Sequence, residues 1–196
     1  GATGMWMHSM ITLSSVLVSV LICFVIGVPL GVLASYNKWY RDIQNVVLDA
    51  MQTLPYFCYL IPVLMFFGGN IVSAVIATVI YSVPPIIRLT ALGLSQVSGG
   101  YSEVSKSFGG TGIQTLNKVK FPLAVPSLVM GFNQTVIMAF AMQIVTPLIG
   151  GKGLGLQVFN ALQRSDTGRG LSAGLAIVLL AIIIDRITHA WTKKQR

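Results

Sequence analysis

Charge is what this sequence has least of. Only 9% of its 196 residues are charged, where a soluble domain carries about a quarter, so most of its surface must face something other than water. The five acids, Asp42, Asp49, Glu103, Asp166 and Asp185, are scattered along the chain, which excludes a paired-carboxylate site. The two histidines, His8 and His189, have no partner at ligand spacing. Cys23 and Cys58 sit singly in apolar runs with no CxxC, so they read as small buried hydrophobes and not as a metal site or disulfide framework. Gly150-Gly151-Lys152-Gly153 lacks the Ser or Thr that a phosphate loop needs after its lysine. No Ser–His–acid set is present either. The expectation is no catalytic residue, no metal and no cofactor bound by this chain, so any energy source comes from outside it. Gly1-Ala2-Thr3-Gly4 has neither an initiator Met nor a basic n-region, so it does not read as a signal peptide, and residues upstream are expected to be missing.

What the chain has instead is apolar length. Hydrophobic residues make up 54% and mean hydropathy is +0.78. A helix needs about 20 apolar residues to cross the hydrocarbon layer, and five stretches qualify or come close: about 10–36, 43–67, 71–94, 122–148 and 171–191. Between the first two lies a basic hinge, 38–42; a polar stretch fills 95–121 and a Gly-rich loop fills 150–170. The prediction is therefore an all-α membrane protein with a single transmembrane domain over 1–196. Five spans place Lys38, Arg41, Arg88, Lys106, Lys118, Lys120, Arg186, Lys193, Lys194 and Arg196 on one side, and Lys152, Arg164 and Arg169 on the other. Excess Lys and Arg mark the cytoplasmic face, so the N-terminus is expected outside and the C-terminus inside. The net charge of +8 is thus a membrane-topology signal, with lipid and not nucleic acid as the partner. Asp49, Asp185 and Arg88 read as interfacial charges, Arg88 snorkelling to the headgroups.

Breakers crowd the spans. Pro29, Pro55, Pro62, Pro84 and Pro85 each remove a helical N–H, which lipid tolerates only where neighbouring helices or a wet cavity satisfy the freed carbonyls. Gly27/Gly31 and Gly170/Gly174 are small-xxx-small pairs that suit close helix packing. The second span holds Asp49, Pro55 and Pro62, and broken helices of this kind can line a pathway. Candidate pathway residues are Gln52, Pro55 and Tyr59 there, with Asn133 and Gln134 mid-membrane in the fourth span; interhelical hydrogen bonding is the competing role for the last two. Tyr56, Phe57 and Tyr59 could offer aromatic faces to a quaternary ammonium, or simply pack.

The polar stretch is the most informative. Residues 101–108 fit two helical turns stopped by Gly109-Gly110. Thr111 and Gln114 form a capping box for a second short helix, with Ile113, Leu116 and Val119 on one stripe, and Pro122 suits the first turn of the next span. Together they make a helix–turn–helix on the inner face, either lying on the membrane or docking into a partner.

Glu103, Gly109 and Phe121-Pro122, in that spacing, resemble the Glu-Ala-Ala loop of permease subunits in binding-protein-dependent ABC importers. The sequence departs from the pattern at Val104, Ser105 and Phe121. Further blocks (Leu48–Pro55, Pro84–Thr90, Lys106–Gly109, Gly131–Thr135 and Ile183–Thr188) are similar to the glycine betaine/proline betaine branch and extend the likeness over almost the whole chain. The resemblance implies a type I importer permease core acting as a homodimer on two ATP-binding cassette subunits, with a separate substrate-binding protein. It implies that Glu103, Ser105, Ser107, Gly109, Gly110, Thr111 and Pro122 form the ATPase-coupling element, and that ATP and Mg are held by the partner ATPase. It also implies a bacterial or archaeal plasma membrane, alternating-access import of glycine betaine or a related osmolyte, and an additional N-terminal region absent here. Choline, carnitine, another methylated amine or an amino acid are alternative cargoes. A channel or secondary transporter would call for mid-membrane acids or an inverted repeat, and neither is evident.

Overall fold

The computed structural model describes residues 2–97 and 99–193, apart from the side chains of residues 2–4, 99, 102, 106, 189 and 191–193. The Lys106 and Lys193 side chains, Lys194 and Arg196, all counted in the basic set above, therefore lie outside the described residues. Among the described residues the chain is helical throughout. The elements are α1 (Ala2–Tyr36), α2 (Lys38–Thr53), α3 (Phe57–Phe67), α4 (Ile71–Ser82), α5 (Pro84–Gln96), α6 (Gly99–Ser107), α7 (Gly112–Thr115), α8 (Phe121–Gln143), α9 (Leu154–Arg164) and α10 (Thr167–Lys193). A π turn over Leu116–Lys120 joins α7 to α8, and a 3-10 turn over Thr146–Ile149 follows α8. Four stretches are long and apolar enough to cross a membrane: Met5–Tyr36, Ile71–Gln96, Gly112–Gln143 and Thr167–Thr188; α2 with α3 makes a fifth if that bent pair is one span.

The basic hinge expected at 38–42 is instead the first turn of α2. Asn37 alone turns the chain, its extended backbone ending α1 while its side chain accepts the Tyr40 N–H at 3.3 Å, satisfying one of the donors every helix start leaves open. The second span is not straight either. Leu54 is extended (φ −68°, ψ 132°) because the ring of Pro55 excludes the helical conformation from the residue before it, and α3 departs from α2 at 93°. Asn70 restarts the helix, accepting the Ser73 N–H at 2.9 Å. Pro84-Pro85, by contrast, open α5 with little loss, since N–H groups in a first turn have no intrahelical partner.

The expected loop over 150–170 contains α9. Its start is satisfied from outside: the Leu154 N–H donates to Thr12 Oγ1 on α1 at 2.8 Å, and Gln157 Nε2 lies 2.9 Å from His8 Nε2. Apolar Leu154 and Ala161 point inward while Leu162 is exposed, an amphipathic pattern that a count of glycines conceals.

The core is α5 held between α1 and α8, with α4 alongside and α10 packed on α8 and α9. Lipid tails are as apolar as leucine, so close packing must supply what the hydrophobic effect supplies in water. Glycines allow it. A Cβ at Gly31 would lie 2.6 Å from Thr90 Cβ and 2.7 Å from the Ile87 carbonyl oxygen, and one at Gly93 would lie 2.5 Å from Ser127 Cβ. The expected Gly27/Gly31 seam is therefore real. The Gly170/Gly174 pair is not an equivalent seam, since a Cβ at Gly174 meets nothing within 4 Å. α10 is the least buried of the four long spans within the chain, at 11% against 56% for Ile71–Gln96.

Replacing Gly31 by Ala is therefore expected to destabilise the detergent-solubilised protein by about 1–3 kcal/mol, the usual penalty for overpacking. Gly174→Ala should shift stability by less than about 0.5 kcal/mol. Thermal unfolding of the two variants side by side checks both.

Candidate functional site

The helix–turn–helix forms as its residues dictate. Gly109 takes φ +79°, the left-handed conformation that ends α6, and the Gly110 N–H donates back to the Ser105 carbonyl at 2.9 Å. Gly110 has no room for a side chain: a Cβ would sit 2.6 Å from Ser105 Oγ and 2.7 Å from its carbonyl oxygen. Thr111 and Gln114 close the capping box, the Thr111 N–H reaching Gln114 Oε1 at 2.9 Å and the Gln114 N–H reaching Thr111 Oγ1 at 3.4 Å. Ser105 Oγ lies 2.8 Å from Thr115 Oγ1, tying α6 to α7. Ser107 Oγ donates to the Glu103 carbonyl at 3.0 Å, and both residues are exposed.

One expectation here needs correction. Ile113, Leu116 and Val119 do not face inward as one stripe: Ile113 is 73% exposed while Leu116 packs on the core, and a π turn runs from Leu116 to Lys120. Pro122 lies in the first turn of α8, as expected, and the helical stretch Gly112–Gln143 as a whole is long and apolar enough to cross a membrane. Pro122 has no N–H to offer, and the π turn just upstream, where the Phe121 N–H reaches the Leu116 carbonyl, relieves the clash that proline brings to a regular helix. The turn's tip is apolar and exposed, with Phe108 at 88%, Val104 at 56% and Tyr101 at 57%. At the same end, Lys120 Nζ lies 5.1 Å from the Tyr36 ring centroid, a cation–π contact from the start of α8 to the end of α1.

The pathway candidates fall in two places. Gln52 and Pro55 are exposed at the bend of the second span, and Tyr59 is half-buried just beyond it. The Tyr59 hydroxyl donates to the Met51 carbonyl, bracing the bend and using one of the carbonyls that Pro55 leaves open. Tyr56 and Phe57 rings stack at 4.5 Å, tilted by 43°, which occupies their faces with each other instead of forming a box with Tyr59. Asn133 and Gln134 part company: Gln134 is exposed, whereas Asn133 is buried. Asn133 lies on the helical face of Val136 and Phe140, which pack with Ile177 of α10, and neither of its amide atoms has a hydrogen-bond partner among the described residues. α8 packs on α1, α4, α5 and α10.

One pair escaped the sequence reading. Arg88 does not snorkel alone. Its guanidinium donates to Asp49 Oδ1 at 2.6 Å, joining α2 to α5 across 39 residues of sequence. The only local signal was that each charge interrupts an apolar span.

A bundle of apolar helices with one broken span and a tied helix–turn–helix at its basic end defines an integral membrane protein of the importer-permease fold. Residues 27–196 match the family described as binding-protein-dependent transport system inner membrane component, and the chain belongs to that family. It is 44% identical over all of its length to the glycine betaine/proline betaine transport system permease protein ProW of Escherichia coli (strain K12), and spans 55% of that protein. It is 45% identical over 97% of its length to the glycine betaine/carnitine transport permease protein GbuB of Listeria monocytogenes, and spans 68% of that one. The chain thus covers between about half and two thirds of these relatives. Among solved structures, an inward-facing MetNI methionine ABC transporter chain superposes with a TM-score of 0.84 at 22% identity, covering 98% of this chain and 96% of that one; at that identity the likeness concerns the fold.

Gly110→Ala is expected to disrupt the turn more than Gly109→Ala, because it meets both a steric wall and the Ser105 carbonyl, while Gly109→Ala bears only a backbone penalty of about 1–2 kcal/mol. Thr111→Ala should cost about 1 kcal/mol through the lost cap. Limited proteolysis at 107–112 should rank the three variants in that order of susceptibility.

Proposed function

We propose that this chain is the permease subunit of an ATP-driven importer, forming with a second copy the alternating-access pathway for glycine betaine or a related quaternary ammonium osmolyte. The observation that carries this reading is the helix–turn–helix: a rigidly tied element that exposes Phe108, Val104 and Ile113 at the basic end of the bundle. An apolar tip of this kind needs a cover, and the groove of an ATP-binding cassette subunit provides one; ATP and Mg reside in that partner, and the permease itself performs no chemistry. Glu103, Ser105, Ser107, Gly109, Gly110, Thr111 and Pro122 make up the coupling element. Ser105, Gly110 and Thr111 hold its shape, and exposed Glu103 meets the partner.

The whole of 1–196 acts as one transmembrane domain, and the basic end faces the cytoplasm. That sets the N-terminus outside and the C-terminus inside, with the bent α2–α3 pair counted as the second of five spans. Gln52, Pro55 and Tyr59 line the pathway at the bend. Asn133 serves as the interhelical or water contact of the fourth span, and Gln134 faces outward from it. A substrate-binding protein delivers cargo from the outer side, where α9 is anchored to α1. The names of the relatives, betaines in one case and betaine with carnitine in the other, support a methylated zwitterion as cargo.

The test is reconstitution with an ATPase subunit and a binding protein in vesicles. Uptake of labelled glycine betaine should require ATP on the cytoplasmic side, and choline should compete less well. Phe108→Asp and Ile113→Asp should each abolish co-purification of the ATPase subunit, or lower uptake by at least roughly tenfold, in line with truncation of an interface anchor. Normal uptake in both variants would sink the coupling assignment.

A further inference from the structure

Beneath the break in the second span, α2 and α5 enclose an open groove of about 430 Å³ lined by Arg41, Asn45, Asp49, Arg88, Leu92 and Ser95, within the size range of small-molecule sites. Its walls follow from the pattern of α2. Arg41, Asn45 and Asp49 recur every four residues and so share one face, while Trp39, Val46 and Val47 on the other side are exposed at 74%, 69% and 53% and suit lipid. The groove is lined by two arginines and a single carboxylate. Arg88 donates to Asp49, but its Nε is buried without a hydrogen-bond partner. The pair is also partly open, its side chains 39% and 63% exposed, so its Coulomb attraction is well screened and it can be exchanged. α5 ends at Gln96 and α6 begins at Gly99, so displacement of the helix–turn–helix acts directly on the element carrying Arg88.

We propose that the Asp49–Arg88 pair is a zwitterion subsite: a small solute bearing both a carboxylate and an ammonium displaces the pair, its carboxylate taking Arg88 with Arg41 and its cation lying against Asp49. A zwitterion makes two charge-assisted contacts in the groove at once, whereas a cation alone or an anion alone makes only one. The groove thereby selects zwitterions over choline-like cations within the permease itself, independently of the binding protein. The proposal rests on the importer reading above.

Saturation-transfer NMR on the permease–ATPase complex in lipid nanodiscs, without binding protein, tests it with glycine betaine, choline and acetate as probes at matched ionic strength. Wild type should transfer saturation to the betaine methyls and give little or no signal for choline or acetate. Arg88→Gln and Asp49→Asn should each lower the betaine signal by roughly tenfold, the effect of removing one charge-assisted contact. The reversed pair, D49R with R88D, still presents both charges and should retain binding. Should a single variant fail to assemble, as read by co-purification of the ATPase subunit, the reversed pair decides. An equal choline signal, an unchanged signal in an assembled Arg88→Gln variant, or a silent reversed pair in an assembled complex would each overturn the subsite. Vesicle uptake separates the two readings: if the reconstituted importer carries a cargo without a carboxylate, the cargo assignment fails while the NMR result still stands on its own.

Discussion

Gly31 on α1 lets the carbonyl of Ile87 and the side chain of Thr90 approach a helix backbone more closely than any side chain permits, and Gly93 does the same for α8. α5 is thereby held from both sides without a hydrophobic effect to drive the contact, because lipid offers apolar surface as good as another helix. What remains is dispersion and close fit, which fall away steeply with separation. The rest of the molecule depends on this sandwich. α5 carries Arg88 and leads to α6, while α8 receives the other end of the helix–turn–helix through the π turn. Any movement imposed on that element is therefore delivered to the centre of the bundle and not to its lipid-facing edge.

The helix–turn–helix is tied so that it keeps its shape. Its parts are bonded across the turn, from Ser105 to Thr115 and from Gly110 back to Ser105, and its cap is reciprocal. The apolar tip is left outside these bonds. A rigid frame with an uncovered apolar end suits docking better than lying on a headgroup surface, where a looser amphipathic helix would serve. The π turn then joins this frame to α8 with one residue of slack, in a span whose proline would otherwise strain it.

The broken second span shows how one residue changes the use of a helix. Without Pro55, α2 and α3 could run on as a single helix. With it, α2 turns a polar face toward α5, its apolar face remains for lipid, and Asp49 comes within reach of Arg88. Tyr59 then braces the break by taking the Met51 carbonyl. Two charges that each looked like an interfacial stray become one contact, and the groove around them becomes the most polar feature of that part of the bundle.

What the sequence determined alone were the properties that rest on local chemistry. Scarce charge and long apolar runs required a membrane; Gly109-Gly110 and Thr111 with Gln114 specified a turn and a cap, because those bonds span only a few residues. Tertiary structure decided what depends on distant partners. Nothing near Gly174 distinguishes it from Gly31, yet only Gly31 faces another helix closely. α9 was hidden among glycines because its N-terminus is satisfied by Thr12, 142 residues away. The partnership of Asp49 and Arg88 joins α2 to α5 across 39 residues of sequence, and the bend is likewise tertiary: Pro55 announces that a break will occur, but the 93° at which the chain leaves it is set by the helices against which it comes to rest.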